Sequence, residues 1–166
     1  MMTDSVLVRT IAGAHPRRTA LRVGVLIVSA YIVFGHLLMP IRGFGVSMEP
    51  TIEEGDLLFV HRMAYRIRVP ARGDVVAVRI AGRSVVYVKR LLGLPGDTVS
   101  FVDGVLWRNG EPVDEPYVTK RAGWQLDQVT LGADDYFVVG DNRGMEMALH
   151  EFGTASRARL IGPRIF

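Results

Sequence analysis

Three short segments of the sequence carry side chains suited to a hydrolytic reaction. Residues 43–51 contain Ser47, residues 87–97 contain Lys89, and residues 140–143 read Gly-Asp-Asn-Arg. A serine hydroxyl is a weak nucleophile until an adjacent base removes its proton. The chain has no cysteine, and its four histidines are scattered at positions 15, 36, 61 and 150. Taken alone, each segment also fits a purely structural role. Ser47 fits a turn hydroxyl before a proline, Lys89 a strand end in solvent, and residues 140–143 an Asx turn.

Lys89 is a candidate base only if it is neutral. Burial favours the neutral form of a lysine by lowering its pKa. Lys89 ends the apolar run Val85-Val86-Tyr87-Val88, which is typical of a strand. Side chains alternate between the two faces of a strand. We therefore expect Lys89 to be buried on the face of Tyr87, and Arg90 to point the other way, into solvent.

From residue 56 onward the pattern predicts short strands separated by turns. Apolar or β-branched runs cover residues 57–60, 74–80, 85–92, 99–102, 105–107 and 136–139. Asp103-Gly104 is a strong two-residue hairpin signal, and residues 81–84 form a second hairpin connection. No long helix is expected in this part of the chain. The sequence predicts a mostly β fold, in which antiparallel sheets form a compact outer domain.

An apolar segment precedes this domain. Residues 23–39 are almost wholly apolar, with only His36 strongly polar, and they are apolar on every face, unlike a core helix with one apolar stripe. The segment is close to the shortest length that crosses a bilayer, for which about 20 residues are typical. Arg17, Arg18 and Arg22 precede the segment, so the positive-inside rule places the N-terminus in the cytoplasm.

The predicted organisation has three parts. Residues 1–22 are a cytoplasmic N-terminus, residues 23–41 a transmembrane signal anchor, and residues 42–166 an extracytoplasmic domain. A signal peptide cleaved after Ala30 is the alternative. Eight residues, under about 30 Å of chain, separate Met39 from Ser47, so Ser47 must work close to the outer membrane boundary. Phe44 and Met48 in this stretch either reach that boundary or line a pocket.

Composition excludes several classes of protein. The chain has 166 residues, of which 49% are hydrophobic, enough for a core. The absence of cysteine excludes a disulfide framework, a thiol nucleophile and a cysteine-ligated metal. The net charge of +3 comes from residues 1–42, which carry +4, while the remaining 124 residues carry −1. A nucleic-acid-binding domain would carry its positive excess on the folded part, so no nucleic-acid partner is expected.

Together, in this order and after a signal anchor, the segments resemble the type I signal peptidase family. The Ser-Met-Glu-Pro-Thr motif of residues 47–51 and the Lys-Arg-Leu-Leu-Gly-Leu-Pro-Gly-Asp motif of residues 89–97 carry the likeness, which extends over residues 43–162. The resemblance implies a membrane-bound serine protease of coiled antiparallel sheets, with Ser47 as nucleophile and Lys89 as general base. Its substrates would be exported preproteins, cut after a small residue outside the inner (cytoplasmic) membrane. No metal, nucleotide or organic cofactor is implied.

The resemblance also assigns secondary roles. The backbone N–H of Ser47 is the candidate oxyanion donor. Gly45 occupies a position where some members have a second, hydroxyl donor, and its lack of a side chain lets the backbone approach a substrate. Val46, Met48 and Tyr87 are the further candidates for substrate binding.

After residues 140–143 the sequence departs from the family pattern. We expect Asp141, Asn142 and Arg143 to support the loop rather than to do chemistry. Aligned without gaps, a family serine that orients the lysine falls on Glu146, and the family's Asp and Arg fall on Ala148 and His150. Glu146 is then expected beside Lys89, or paired with His150. A re-routed loop with Glu146 in solvent is the alternative.

Other functions stay open at this point. The first is a specialised relative in the same family, such as a conjugative pilin-maturing or organellar inner-membrane peptidase. The second is a non-catalytic, membrane-tethered binding module produced by the altered loop. The sequence does not indicate which preproteins are cut, nor the oligomeric state.

Overall fold

In a computed structural model of the chain, residues 15–79 and 85–165 are described. Helix α1 runs over Pro16–Ile32 and continues as a π-helical segment, Val33–Leu37. Pro16 suits the first helical position, where its missing N–H would be unpaired in any residue. Leu38 is already extended, and Met39 is also kept out of the helical conformation because it directly precedes Pro40. By length and composition, the stretch Arg17–Leu37 is able to span a membrane.

The chain forms two compact units, Met1–Leu38 and Met39–Phe166. The second unit is built mainly from short strands, with one helical turn, α2 (Ala64–Ile67), and two 3-10 turns (Met147–Leu149 and Arg157–Arg159). The strands are β1 (Leu38–Arg42), β2 (Leu57–His61), β3 (Val75–Val78), β4 (Tyr87–Gly93), β5 (Thr98–Val102), β6 (Val105–Arg108), β7 (Glu111–Pro112), β8 (Leu126–Thr130), β9 (Asp135–Val139), β10 (Gly153–Ser156) and β11 (Leu160–Pro163).

The strands form three sheets. A five-stranded sheet has the order β10-β9-β4-β3-β11, a four-stranded sheet has the order β7-β6-β5-β8, and β1 pairs with β2. Every pairing with a defined register in the two larger sheets is antiparallel. The predicted mostly β, antiparallel fold is therefore confirmed.

Local turn chemistry explains the pairing of β5 with β6. Asp103 and Gly104 both have positive φ, 49° and 77°, which is what the tight turn of a two-residue hairpin requires. The turn fixes the register by pairing Val102 with Val105. The second hairpin connection that the sequence predicts, residues 81–84, lies outside the described residues.

Two apolar clusters hold the larger sheets and a third lies under the serine segment. One is centred on aromatic rings, with Phe101 and Trp124 edge to face at 5.4 Å. The third consists of Met48, Ile52 and Leu58, all buried. Met48 directly follows Ser47, so burial of its side chain fixes the backbone that carries the hydroxyl.

Candidate active site

Ser47 and Lys89, 42 residues apart in sequence, meet in the structure. The ammonium Nζ of Lys89 donates a hydrogen bond of 2.9 Å to Ser47 Oγ. Lys89 lies in the middle of β4, opposite Val76 of β3, so its backbone is held by the five-stranded sheet. As predicted, its side chain shares a face with Tyr87, whose ring centroid is 6.0 Å from Nζ. The geometry places a base within hydrogen-bonding reach of the hydroxyl proton.

The surroundings of Lys89 favour its neutral form. Its side chain is only 2% exposed. Burial lowers the pKa of Lys89 to about 8, while the negative charges of Glu151 and Asp141 act in the opposite direction. At pH 7 about a tenth of the molecules then carry a neutral Lys89, and above pH 9 most of them do. This lysine can accept a proton at mildly alkaline pH.

The loop of residues 140–143 holds the serine segment in place. The backbone N–H of Asn142 donates to the Ser47 carbonyl oxygen at 3.0 Å, and its side-chain Nδ2 donates to the Val46 carbonyl oxygen at 3.0 Å. Gly140 permits this contact, because a Cβ there would lie 2.1 Å from the Ser47 carbonyl oxygen. Gly45 has φ +82°, a conformation that glycine adopts without strain.

Asp141 ties the same loop to β4 through Arg90. Arg90 Nε and one terminal nitrogen donate to the two Asp141 oxygens at 2.9 and 2.6 Å, and Thr51 Oγ1 donates to the same carboxylate. The expectation that Arg90 points into solvent is therefore wrong, since its side chain is only 12% exposed. Strand alternation does send Arg90 away from Lys89, but the loop covers that face and supplies the counter-ion.

Arg143 lies behind the loop in a fully buried ion pair. Its guanidinium donates to Glu115 at 2.7 Å, and neither side chain is exposed to solvent. Arg143 Nε also donates to the Gly140 carbonyl oxygen at 2.7 Å. Its guanidinium lies 5.0 Å from the Phe101 ring centroid and 5.6 Å from that of Trp124. The arginine thus connects the loop to the aromatic core.

The structure does not place Glu146 beside Lys89. Glu146 is exposed and precedes the 3-10 turn Met147–Leu149. The carboxylates that act on Lys89 are Glu151 and Asp141, and Glu151 also raises the pKa of Tyr87. The acid of this loop that acts on Lys89 after residue 143 is therefore Glu151, five residues beyond Glu146.

His150 is buried at the site and does not pair with Glu146. Its ring packs edge to face on Trp124 at 4.9 Å. Burial and the charges of Lys89 and Arg143 lower the pKa of His150 to about 4, although the backbone groups of Ser47 and Glu151 favour its charged form. Neither ring nitrogen makes a hydrogen bond of standard geometry. The imidazole is therefore neutral at pH 7 and helps to keep water from the lysine.

A groove of about 370 Å³ opens beside the serine. Of the predicted substrate-binding residues, Gly45, Met48 and Tyr87 line it together with Ser47, and Val46 lies outside the lining. Further lining side chains come from Ile41, Arg42, Phe44, Ile52, Leu58, Val85, Val86 and Val88. Within residues 15–79 and 85–165 no three His, Asp or Glu side chains are grouped to hold a metal. The groove is mostly apolar, with Ser47, Tyr87 and Arg42 as its polar side chains, which suits a peptide with small apolar side chains.

Sequence reasoning missed three charged residues that hold the site: Arg90, Glu115 and Glu151. The signal for Glu151 was available, because Glu146 and Glu151 are the only acids after Asp141. When a loop of altered sequence contains two acids, each of them is a candidate for the position beside the lysine. Nothing in the sequence marks Glu115 as the partner of Arg143, because 28 residues and two strands separate them.

A serine hydroxyl that is hydrogen-bonded to a buried lysine, at the side of a mostly apolar groove, forms the active site of a serine endopeptidase. The family model described as "Signal peptidase, peptidase S26" matches residues 17–166. The chain therefore belongs to the signal peptidase family, as the sequence motifs indicate, and members of this family are membrane-bound.

Individual relatives agree with the family assignment. The chain is 33% identical over 161 residues to a probable signal peptidase I-2 of Synechocystis, covering 89% of this chain and 72% of the relative. It is 36% identical over 151 residues to a signal peptidase I of Bacillus licheniformis, covering 84% and 81%. A crystal structure of a signal peptidase I from Enterococcus faecalis is 29% identical, covers 58% of this chain and 97% of its own, and has a TM-score of 0.49.

Proposed function

We propose that the chain removes N-terminal signal peptides from exported preproteins, with Ser47 as nucleophile and Lys89 as general base. The observation that carries the proposal is the 2.9 Å hydrogen bond between Lys89 Nζ and Ser47 Oγ at the side of the groove. The same observation argues against a non-catalytic binding module, which would have no need of a desolvated lysine against a serine.

The reaction follows from the positions of the two side chains. Neutral Lys89 takes the hydroxyl proton as Ser47 Oγ attacks the scissile carbonyl carbon. The oxyanion lies against the backbone N–H of Ser47. Lys89 then returns the proton to the leaving amine, which becomes the new N-terminus of the mature protein. Water, activated by the same lysine, hydrolyses the acyl-serine ester and frees the signal peptide.

The shape of the groove supports a preference for small side chains. One wall is the segment 41–45 and the other is the segment 85–88, so an extended peptide is accommodated between two extended backbones. The buried side chains of Met48, Ile52 and Leu58 pack together and also line the groove. Gly43 and Gly45 let the substrate backbone approach closely.

The membrane topology follows from charge. Arg17, Arg18 and Arg22 flank the N-terminal end of the candidate span Arg17–Leu37, which favours a cytoplasmic N-terminus. The peptidase unit is then on the outer side of the inner membrane. Ser47 lies only eight residues beyond Met39, so cleavage takes place close to that surface.

The test is cleavage of a labelled preprotein by the full-length chain in lipid vesicles, followed by sequencing of the product's N-terminus. We expect one cut after a small residue. Lys89→Arg should abolish cleavage, because a guanidinium stays charged and cannot take the proton. The chain offers a matched control, since Lys120 is its only other lysine and is exposed. Lys120→Arg should retain activity. An active Lys89→Arg variant would rule out this base.

A further inference from the structure

The loop after Arg143 presents a negative charge to solvent beside the dyad. His150 has extended backbone, with φ −102° and ψ 110°, and its side chain is buried. Side chains alternate in direction along extended backbone, so the two neighbours of His150 project outward. The observed exposure agrees, since Leu149 is 70% exposed and Glu151 is exposed as well. We call residues 149–151 the rim.

The contacts of His150 place the rim next to the nucleophile. A Cβ on Gly140 would lie 2.1 Å from the Ser47 carbonyl oxygen and 2.6 Å from His150 Cε1. Both atoms therefore border the same point, and the imidazole lies against the backbone of the serine. The ring also packs on Trp124, with 4.9 Å between the ring centroids. The rim is thus fixed beside the dyad by the buried side chain at its centre.

Glu151 is a solvent-facing charge of this site. It acts through its charge on Lys89 and also on Tyr87, a residue of the groove lining. The other carboxylate that acts on Lys89, Asp141, is buried in an ion pair with Arg90. In the part of the chain that the structure describes, Glu151 belongs to no ion pair. A cation on a bound substrate therefore has no described counter-ion to displace.

The chemistry of cleavage determines which part of the substrate begins beside Glu151. Lys89 returns its proton to the leaving amine, so the leaving nitrogen lies within hydrogen-bonding reach of Lys89 Nζ. The residues that follow this nitrogen are the first residues of the mature protein, and each extends the chain by at most about 3.6 Å. The mature part of the substrate therefore begins next to the lysine on which Glu151 acts.

We propose that Glu151 makes the peptidase selective for a positively charged side chain at the first or second residue of the mature protein. The carboxylate attracts a lysine or arginine at this position and repels an aspartate or glutamate. The groove beside Ser47 binds the residues before the cut, so the two preferences act on opposite sides of the scissile bond. The inference rests on the proposed function and deepens it, because it names a further determinant of the substrate.

The test uses signal-sequence peptides that differ only at the first or the second residue after the cut, which is arginine, glutamine or glutamate. The full-length chain cleaves them in a non-ionic detergent at about pH 9, where most Lys89 side chains are neutral. The readout is kcat/KM for the arginine peptide divided by kcat/KM for the glutamine peptide. Glu151 also affects the pKa of Lys89, but that effect is common to both peptides and cancels in the ratio.

We expect the arginine peptide to be preferred about 1.4- to 5-fold by the unmodified chain, which is the range of an exposed ion pair. The preference should occur at one of the two positions, because successive side chains of an extended substrate point to opposite sides. Glu151→Gln should abolish it, and Glu151→Lys should favour the glutamate peptide instead. The matched control, Glu146→Gln, removes another exposed glutamate of the same loop and should leave the ratio unchanged. Concentrated salt should weaken the preference, because it screens exposed charges.

Two results would overturn the proposal. Equal cleavage of the arginine and glutamine peptides at both positions would mean that the rim does not recognise charge. A preference for arginine that persists in Glu151→Gln would mean that another group causes it. Failure of the proposed function gives a different result, because the unmodified chain would then cleave none of the peptides.

Discussion

Replacing Glu151 by glutamine should make Lys89 a better base near neutral pH. Glu151 acts on Lys89 through its charge and also raises the pKa of Tyr87. Glutamine keeps the size and shape of the side chain and removes only the charge. A carboxylate favours the ammonium form, so its removal lowers the pKa of Lys89 below the present value of about 8.

The size of the effect follows from exposure. Glu151 is exposed, so solvent screens its interaction with Lys89. Exposed pairs contribute about 0.2–1 kcal/mol, which corresponds to about 0.2–0.7 pKa unit at 1.36 kcal/mol per unit. Since only neutral Lys89 accepts the proton, kcat/KM at pH 7 should rise about 1.5- to 4-fold. At pH 9.5 it should stay close to the original value.

The assay is kcat/KM for a soluble signal-sequence peptide between pH 6 and 10. The matched control is Glu146→Gln, which removes an exposed charge that the structure does not place at the lysine. The acid limb of its profile of kcat/KM against pH should coincide with that of the unmodified chain. A larger displacement by Glu146→Gln than by Glu151→Gln would refute the placement of the two acids. If the acid limbs of all three chains coincide, neither glutamate affects the pKa of Lys89.

Two further substitutions test the support of the site. Gly140→Ala should lower kcat/KM strongly in the same peptide assay, because its Cβ would lie 2.1 Å from the Ser47 carbonyl oxygen and 2.6 Å from His150 Cε1; undiminished activity would mean that the loop does not fix the serine. Arg143→Met should destabilise the outer unit by about 3–5 kcal/mol in denaturant unfolding, because it leaves the buried carboxylate of Glu115 without its counter-ion, with only the Tyr117 hydroxyl still donating to it. Adding Glu115→Gln should recover part of the loss, and a loss below about 1 kcal/mol would contradict the buried-pair account.

The sequence predicted those parts of the site that depend on local pattern. Alternation along β4 predicted that Lys89 is buried on the face of Tyr87, and Asp103-Gly104 predicted the hairpin between β5 and β6. Partners that are distant in sequence give no signal in the local sequence pattern. Strand alternation sends Arg90 to the opposite face, but only the tertiary position of Asp141 decides whether that face is solvent or an ion pair.

The loop after residue 143 shows a second limit. Motif spacing gives the order of the residues in the loop, but the path through the 3-10 turn Met147–Leu149 decides which side chain faces Lys89. The acid that acts on Lys89 is then Glu151 rather than Glu146, and His150 is buried against Trp124. Neither position follows from residue types, because a glutamate in solvent and a glutamate at a lysine have the same local sequence preferences.

The most direct measurement of the central claim is the mass of the acyl-enzyme intermediate. The full-length chain is mixed with a signal-sequence peptide ester, quenched in acid within the first turnover, digested and analysed by mass spectrometry. Attack by the Lys89-activated hydroxyl predicts one adduct, of the mass of the acyl fragment, on the peptide that contains Ser47, and no adduct in Lys89→Arg. An adduct on another residue, or turnover with unmodified Ser47 throughout, would contradict the account.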